Sequence, residues 1–211
     1  MGKWQAWLAQ DAVNVHLETW WKRFQADENA EVFVPLCGKS LDMLWLLEQG
    51  HRVTGVELHA SAVDAFFAEN AVPAERTEQG AFQYYRSHGL GIYCGDFFDL
   101  TAEHVQDCRY VFDRAALVAL PPEMRVDYVT HMHKILPAGS QLFLIGMAYD
   151  TSKMSGPPFS VPDEEVKTLF ANGFSVERVA SSDDPSLLGG LEKRGLDRLR
   201  ENIYFIHKHS S

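Results

Sequence analysis

The sequence predicts an α/β fold: a doubly wound, mostly parallel sheet of about seven strands with an antiparallel last strand and helices on both faces. Three observations carry that expectation. From residue 31 to residue 148, short apolar runs alternate with segments of helical period, the pattern of a parallel sheet with crossover helices. A tight glycine-bearing turn, Leu36-Cys37-Gly38-Lys39-Ser40, follows the first run. The last two runs, 174–180 and 202–208, are joined by an irregular polar stretch. That connection lets the final strand insert antiparallel beside its predecessor.

The elements follow in order. Val13, Leu17, Trp20, Trp21 and Phe24 share one helical stripe, so a helix is expected over about 11–25, with Asp11 as N-cap. EVFVP, 31–35, reads as a short buried strand, and 41–49 as a strongly apolar helix ended by Gly50. RVTGVE, 52–57, is the next strand; a helix over 60–70 puts Ala62, Val63, Phe66 and Phe67 on one face. Residues 82–86 and 90–94 pair across Ser-His-Gly. RYVFD, 109–113, is a strand, and 122–136 a helix that groups Tyr128, Val129, Met132, Ile135 and Leu136. Strand 141–148 leads into a loop, 149–160; Pro162 suits the first turn of a helix ending near Asn172-Gly173.

Bulk properties narrow the function classes. The chain has 211 residues, enough for one domain with a substantial core, and neither a repeat nor a Ser/Gly-rich linker divides it. The expected division is a single domain, 1–211, with a helical lid over about 1–28 and a core over about 29–211. A net charge of −10 disfavours nucleic acid and membrane surfaces and leaves small molecules as the expected partners of a monomer. No apolar run reaches the roughly 18 residues that span a bilayer. The opening Met1-Gly2-Lys3-Trp4 lacks an export signal, and three cysteines fit reduced thiols, so a cytoplasmic location is expected. The cysteine spacings and the nine histidines form no metal-binding pattern, so no metal is expected.

In a doubly wound sheet, ligands bind at the carboxyl ends of the strands. After the first strand, Gly38 lets the backbone approach a ligand, and the following helix offers free N–H groups; an ordinary tight turn is the alternative. Gly38-Lys39-Ser40 resembles the end of a phosphate-binding P-loop, but that motif needs glycine at position 33, which is Phe33. A dinucleotide glycine pattern is also missing, which argues against a nicotinamide oxidoreductase. Glu57 ends the second strand, where a carboxylate can accept hydrogen bonds from ribose hydroxyls. After the next parallel strand, Asp96 is placed to accept from an adenine amino group and Phe97 to cover the ring, the alternative being a capped turn with two buried aromatics. Asp113-Arg114 ends the fourth parallel strand and faces the reaction centre, or forms a structural ion pair.

The stretches VFVPLCGKSLDMLWL (32–46), GVEL (55–58), GDFFDL (95–100), DRAALVALPP (113–122) and GPPFSVP (156–162) closely resemble the thiopurine S-methyltransferase family, bacterial members above all. The similarity runs from about Val13 to the C-terminus. It implies the class I methyltransferase sheet, S-adenosylmethionine as methyl donor with S-adenosylhomocysteine as product, and methylation of sulfur on a small aromatic or heterocyclic thiol. By matched motif, Leu36, Glu57 and Arg114 stand at cofactor positions and the pair Asp96-Phe97 at the adenine; the reading of the turn adds Gly38 to the cofactor set. Arg114 is the candidate catalytic residue, orienting the cofactor or stabilising a thiolate. Trp4, Trp7 and Phe159 are candidates for the lid and the acceptor.

Two stretches depart from the family pattern. At the start, longer members carry a covering segment, and here the aligned stretch is Ala6-Trp7-Leu8-Ala9. Trp4 and Trp7 either replace that cover or serve as apolar packing. Near the C-terminus, where some members place a substrate-facing arginine, no exact counterpart is identified; Lys193 and Arg194 read as solvated loop charges, with assistance to the substrate as the alternative. Two other readings remain: methylation of inorganic or small aliphatic sulfur, selenium or tellurium species, and a non-catalytic cofactor-binding protein.

Overall fold

The computed structural model describes residues 12–210. Expectations that rest on Trp4, Trp7 and Asp11 lie outside the described residues. The first described helix, α1 (Val15–Phe24), begins four residues later than expected because Asn14 is its cap: its side chain accepts from the N–H groups of His16 and Leu17. Then come β1 (Glu31–Val34), α2 (Asp42–Glu48), β2 (Arg52–Glu57), α3 (Ala60–Glu69), β3 (Glu75–Gln79), β4 (Phe82–Ser87) and β5 (Leu90–Cys94). Two 3-10 turns, Phe97–Asp99 and Ala102–Val105, precede β6 (Tyr110–Asp113). The rest is α4 (Ala116–Ala119), α5 (Pro122–Ile135), β7 (Gln141–Ala148), α6 (Asp163–Leu169), β8 (Phe174–Ser182) and β9 (Arg200–Lys208). Pro162 caps α6 from outside, and the helix ends at Leu169, short of Asn172. None of the described helices is long and apolar enough to cross a membrane.

All strands join one nine-stranded sheet in the order β3-β4-β5-β2-β1-β6-β7-β9-β8. The central β5, β2, β1, β6 and β7 are parallel. β9 inserts between β7 and β8 and runs antiparallel to both. The expected seven-stranded arrangement is therefore the run from β5 to β8. The hairpin β3–β4 extends it at one edge, antiparallel to β5. β3 was not foreseen: ERTEQ is exposed along its whole length and carries no apolar alternation.

Strand alternation sends side chains to opposite faces and builds two cores. On one face, Leu17, Trp21 and Phe24 of α1, Met43 and Leu46 of α2, and Val63 and Phe66 of α3 cover Val32, Val53, Ile92 and Phe143. Trp21 stacks on Phe143 with centroids 6.3 Å apart, and Phe24 meets Phe205 at 5.1 Å. On the other face, α4, α5 and α6 bring Leu117, Tyr128, Met132 and Val166 onto Phe33, Val111, Leu142 and Leu144. The strand order reverses between β2 and β6, on either side of β1. In doubly wound sheets that switch point opens a crevice at the carboxyl ends.

Candidate active site

The crevice is built from the turns that leave β1, β2, β5 and β6. After β1 the chain bends through two left-handed residues, Leu36 at φ 46° and Gly38 at φ 53°. A leucine there is strained, a departure from ordinary backbone that often marks a site. At Gly38 nothing lies within 4 Å of where a Cβ would stand, so the backbone faces open space. The turn is pinned from below: the Cys37 N–H donates to the Val56 carbonyl at 2.9 Å. Gly55 has no room for a side chain, since a Cβ there would sit 2.9 Å from the Cys37 sulfur.

Glu57 ties three of these pieces together. It is 8% exposed, and its Oε2 accepts from the Gly38 N–H and its Oε1 from the His59 N–H, each at 2.9 Å. Its main-chain carbonyl accepts from Gly95, at the turn after β5, at 3.0 Å. The two cofactor elements read from sequence, nineteen residues apart, are thus in direct contact. Each carboxylate oxygen has two lone pairs, so one bond at each leaves capacity for a pair of hydroxyls. The open cradle at Gly38 and the spare capacity of Glu57 fit an adenosyl donor. The neighbouring Lys39 pairs with Glu69 at 2.7 Å, so it is engaged with α3.

The remaining expected residues divide. Asp96 is exposed at the mouth and caps the 3-10 turn, accepting from the Phe98 N–H at 2.9 Å. The Phe97 ring does not face the mouth. It is 6% exposed and packs on Tyr128 and His131 with centroids 4.9 and 5.0 Å away. Its apolar surface goes to the core, so its ring supports the Asp96 turn from beneath. Asp113 and Arg114 also diverge. Asp113 turns inward, accepting from the Tyr128 hydroxyl at 2.7 Å and the Leu117 N–H at 3.3 Å, and burial pushes its carboxyl up to about 6. Arg114 turns to Asp42, its Nη1 3.7 Å from Oδ2, with only 10% of its side chain exposed.

Phe159 belongs to a braced loop. Its N–H donates to the Val118 carbonyl at 2.7 Å, and its ring lies against Gly156, where a Cβ would meet it at 2.4 Å. The Tyr149 hydroxyl donates to the Pro158 carbonyl and Arg194 Nη1 to the Pro157 carbonyl. Arg194, foreseen as a loop charge with a chance of assisting, therefore holds this loop in shape.

Sequence reasoning missed Asp42 and Arg125. Both are 1% exposed. Arg125 donates to the Leu120 carbonyl at 3.0 Å, pairs with Glu165 at 2.5 Å and lies 5.9 Å from the Phe159 ring centroid. Its Nη2 has no partner among the described residues. The signal was available: Arg125 lies three residues before Tyr128 on the apolar stripe of α5, a place where an unpaired cation is costly. All three cysteines are buried, and burial above all raises the thiol of each.

The fold and its relatives agree. The profile of the Thiopurine S-methyltransferase (TPMT) family matches residues 3–209. A thiopurine S-methyltransferase of Pseudomonas putida is 44% identical over 94% of this chain and 92% of its own length. One of Azotobacter vinelandii is 42% identical over 97% of each. Among solved structures, a SAM-dependent methyltransferase from Methanosarcina mazei covers 94% of this chain and 99% of its own with a TM-score of 0.67 at 12% identity. The cyclase SpnF shares the fold as well, covering 92% of this chain and 80% of its own at a TM-score of 0.63 and 12% identity. Fold alone therefore does not decide the chemistry, whereas sequence identity above 40% along nearly the whole length does decide descent. The chain belongs to the thiopurine S-methyltransferase family, and its sheet has the fold of S-adenosylmethionine-dependent methyltransferases.

Proposed function

We propose that this protein transfers the methyl group of S-adenosylmethionine to the sulfur of small aromatic or heterocyclic thiols. The observation that carries the reading is the Gly38–Glu57 hydrogen bond, which joins an open backbone cradle to a buried carboxylate across two neighbouring strand ends. The names of the bacterial relatives support the acceptor class.

When bound, S-adenosylmethionine supplies a methyl group already activated by its sulfonium charge. The chain then has to bind, orient and exclude water. The Leu36–Gly38 turn receives the methionine portion, and Glu57 accepts from the ribose hydroxyls with the carboxylate held in place by two main-chain N–H groups. Asp96 takes the adenine amino group, above the platform that Phe97 supports. Arg114 is the cation of the pocket. It orients the donor's carboxylate or lowers the pKa of the acceptor thiol. Aromatic thiols ionise readily, so no general base is required. Alignment of sulfur with the methyl group supplies most of the acceleration.

The described N-terminal stretch, 12–28, and the loops 149–160 and 183–195 form the lid, with Phe159 offering an aromatic face to the acceptor. The decisive experiment offers labelled donor to a panel: an aromatic thiol, an aliphatic thiol, selenite and tellurite. The aromatic thiol is expected to be labelled fastest. Preferential labelling of an inorganic species would overturn the acceptor class, and donor binding without transfer to any member would overturn catalysis.

A further inference from the structure

Asp42 is a buried carboxylate at the meeting point of three segments. It opens α2, directly after the cofactor turn. Its Oδ1 accepts from the Asn14 main-chain N–H at 2.8 Å, at the entrance to α1. Its Oδ2 accepts from the Ser40 hydroxyl at 2.9 Å and faces Arg114 Nη1 at 3.7 Å. At 1% exposure its charge is costly to bury without compensation. Two neutral donors and the amino end of a seven-residue helix give part of that compensation, and Arg114 gives the rest. The Asp42–Arg114 contact is loose beside Arg125–Glu165 at 2.5 Å. A guanidinium has five N–H donors, and one long contact leaves most of them for a ligand.

We propose that Asp42 is a positioning residue: its charge holds the Arg114 guanidinium toward the donor side of the crevice, and its bond to Asn14 fixes the carboxylate that does so. The inference rests on the donor-side reading of Arg114 given above. Coupling of this kind links the chain entering α1 to the cofactor turn and to the end of β6.

Asp42→Asn isolates the charge. The amide oxygen still accepts from Asn14, and the amide nitrogen donates to a Ser40 hydroxyl that reverses its role. Only the attraction to Arg114 is lost. Affinity for S-adenosylhomocysteine is measured by calorimetry for wild type, Asp42→Asn, Arg114→Ala and the double variant. Asp42→Asn is expected to weaken binding about fivefold and Arg114→Ala about tenfold, with the double variant within about twofold of Arg114→Ala. A full fivefold loss on top of Arg114→Ala would make Asp42 an independent structural residue and overturn the proposal. Unchanged affinity in Arg114→Ala would instead sink the donor-side reading of Arg114, and the proposal with it.

A second pair of variants tests the Asn14 leg and leaves Asp42 intact. Asn14→Ala and Asn14→Pro both lose the helix cap, but only proline also loses the N–H. The native φ of −69° already suits a proline ring. Proline is expected to bind S-adenosylhomocysteine about threefold more weakly than alanine, a modest effect for one hydrogen bond. Equal affinities would remove Asn14 from the coupling.

Discussion

Two hollows of nearly equal size open at opposite ends of the sheet, about 800 Å³ at the amino ends of the strands and about 820 Å³ at the carboxyl ends. The amino-end hollow is lined by Glu31, Arg52, Thr54, Tyr84, Arg86 and His88. Its charges are met at the surface: Glu31 accepts from the Thr54 hydroxyl at 2.6 Å and pairs with Arg52, whose side chain is 62% exposed. The carboxyl-end hollow is bordered by Tyr149, Ser160 and Arg200 and belongs to the end that carries Glu57, Asp42, Asp113 and Arg125, each at or below 8% exposure. Volume does not separate the two ends. Fixed, buried charge does, because ionic groups are kept out of water only where their surroundings are arranged around them.

Five substitutions break or sharpen that contrast. Arg125→Ala removes a buried cation and its packing, and urea unfolding should show a loss of about 3 kcal/mol; a loss under about 1 kcal/mol would make the carboxyl-end charges no different from surface ones. Glu57→Ala should weaken S-adenosylhomocysteine binding by about 100-fold, the worth of charge-assisted hydrogen bonds. Unchanged affinity would refute the ribose assignment.

Asp113 gives a signature in pH. The folded carboxyl keeps its proton up to about pH 6, whereas an unfolded one releases it near 3.8. Folding therefore takes up a proton between those values, and stability falls as pH rises across the window, by on the order of 3 kcal/mol. Asp113→Asn should flatten that slope in unfolding curves collected from about pH 4 to pH 7. A slope that survives the substitution belongs to other groups. Arg114→Ala should lower kcat/KM toward an aromatic thiol by about tenfold, and wild-type rates would take Arg114 out of catalysis. Arg86→Ala, at the amino end, should change neither kcat nor donor affinity by more than about twofold. A larger effect would show that the amino-end hollow takes part.

Much of this was legible in the residues. β7 occupies the predicted 141–148, and α5 differs from its expected span by one residue, because both are long and strongly patterned. The Gly38 turn and Glu57 could be singled out because strand ends in this architecture face the ligand, and the structure brings the two into contact. What escaped was set by tertiary contact. β3 buries nothing, so its register comes wholly from β4, with Glu75 opposite Arg86 and Thr77 opposite Tyr84. The start of α1 moved to Val15 because the Asn14 N–H is held by Asp42, twenty-eight residues away. Phe97 was assigned to the ligand and serves the core, since a motif names a residue without saying which way its ring turns. Asp42 and Arg125 look like ordinary polar positions until burial is known.

The unforeseen strand has one more effect. A sheet this wide has open rims, and unpaired backbone there invites other copies to add on. β3 carries Glu75, Arg76 and Glu78 along one rim, fully hydrated. Without β3, the bare margin would be β4, which carries the core residues Phe82 and Tyr85. Five residues that stabilise no core thus guard against aggregation, and a shortened hairpin should be seen first as turbidity, before any loss of methyl transfer.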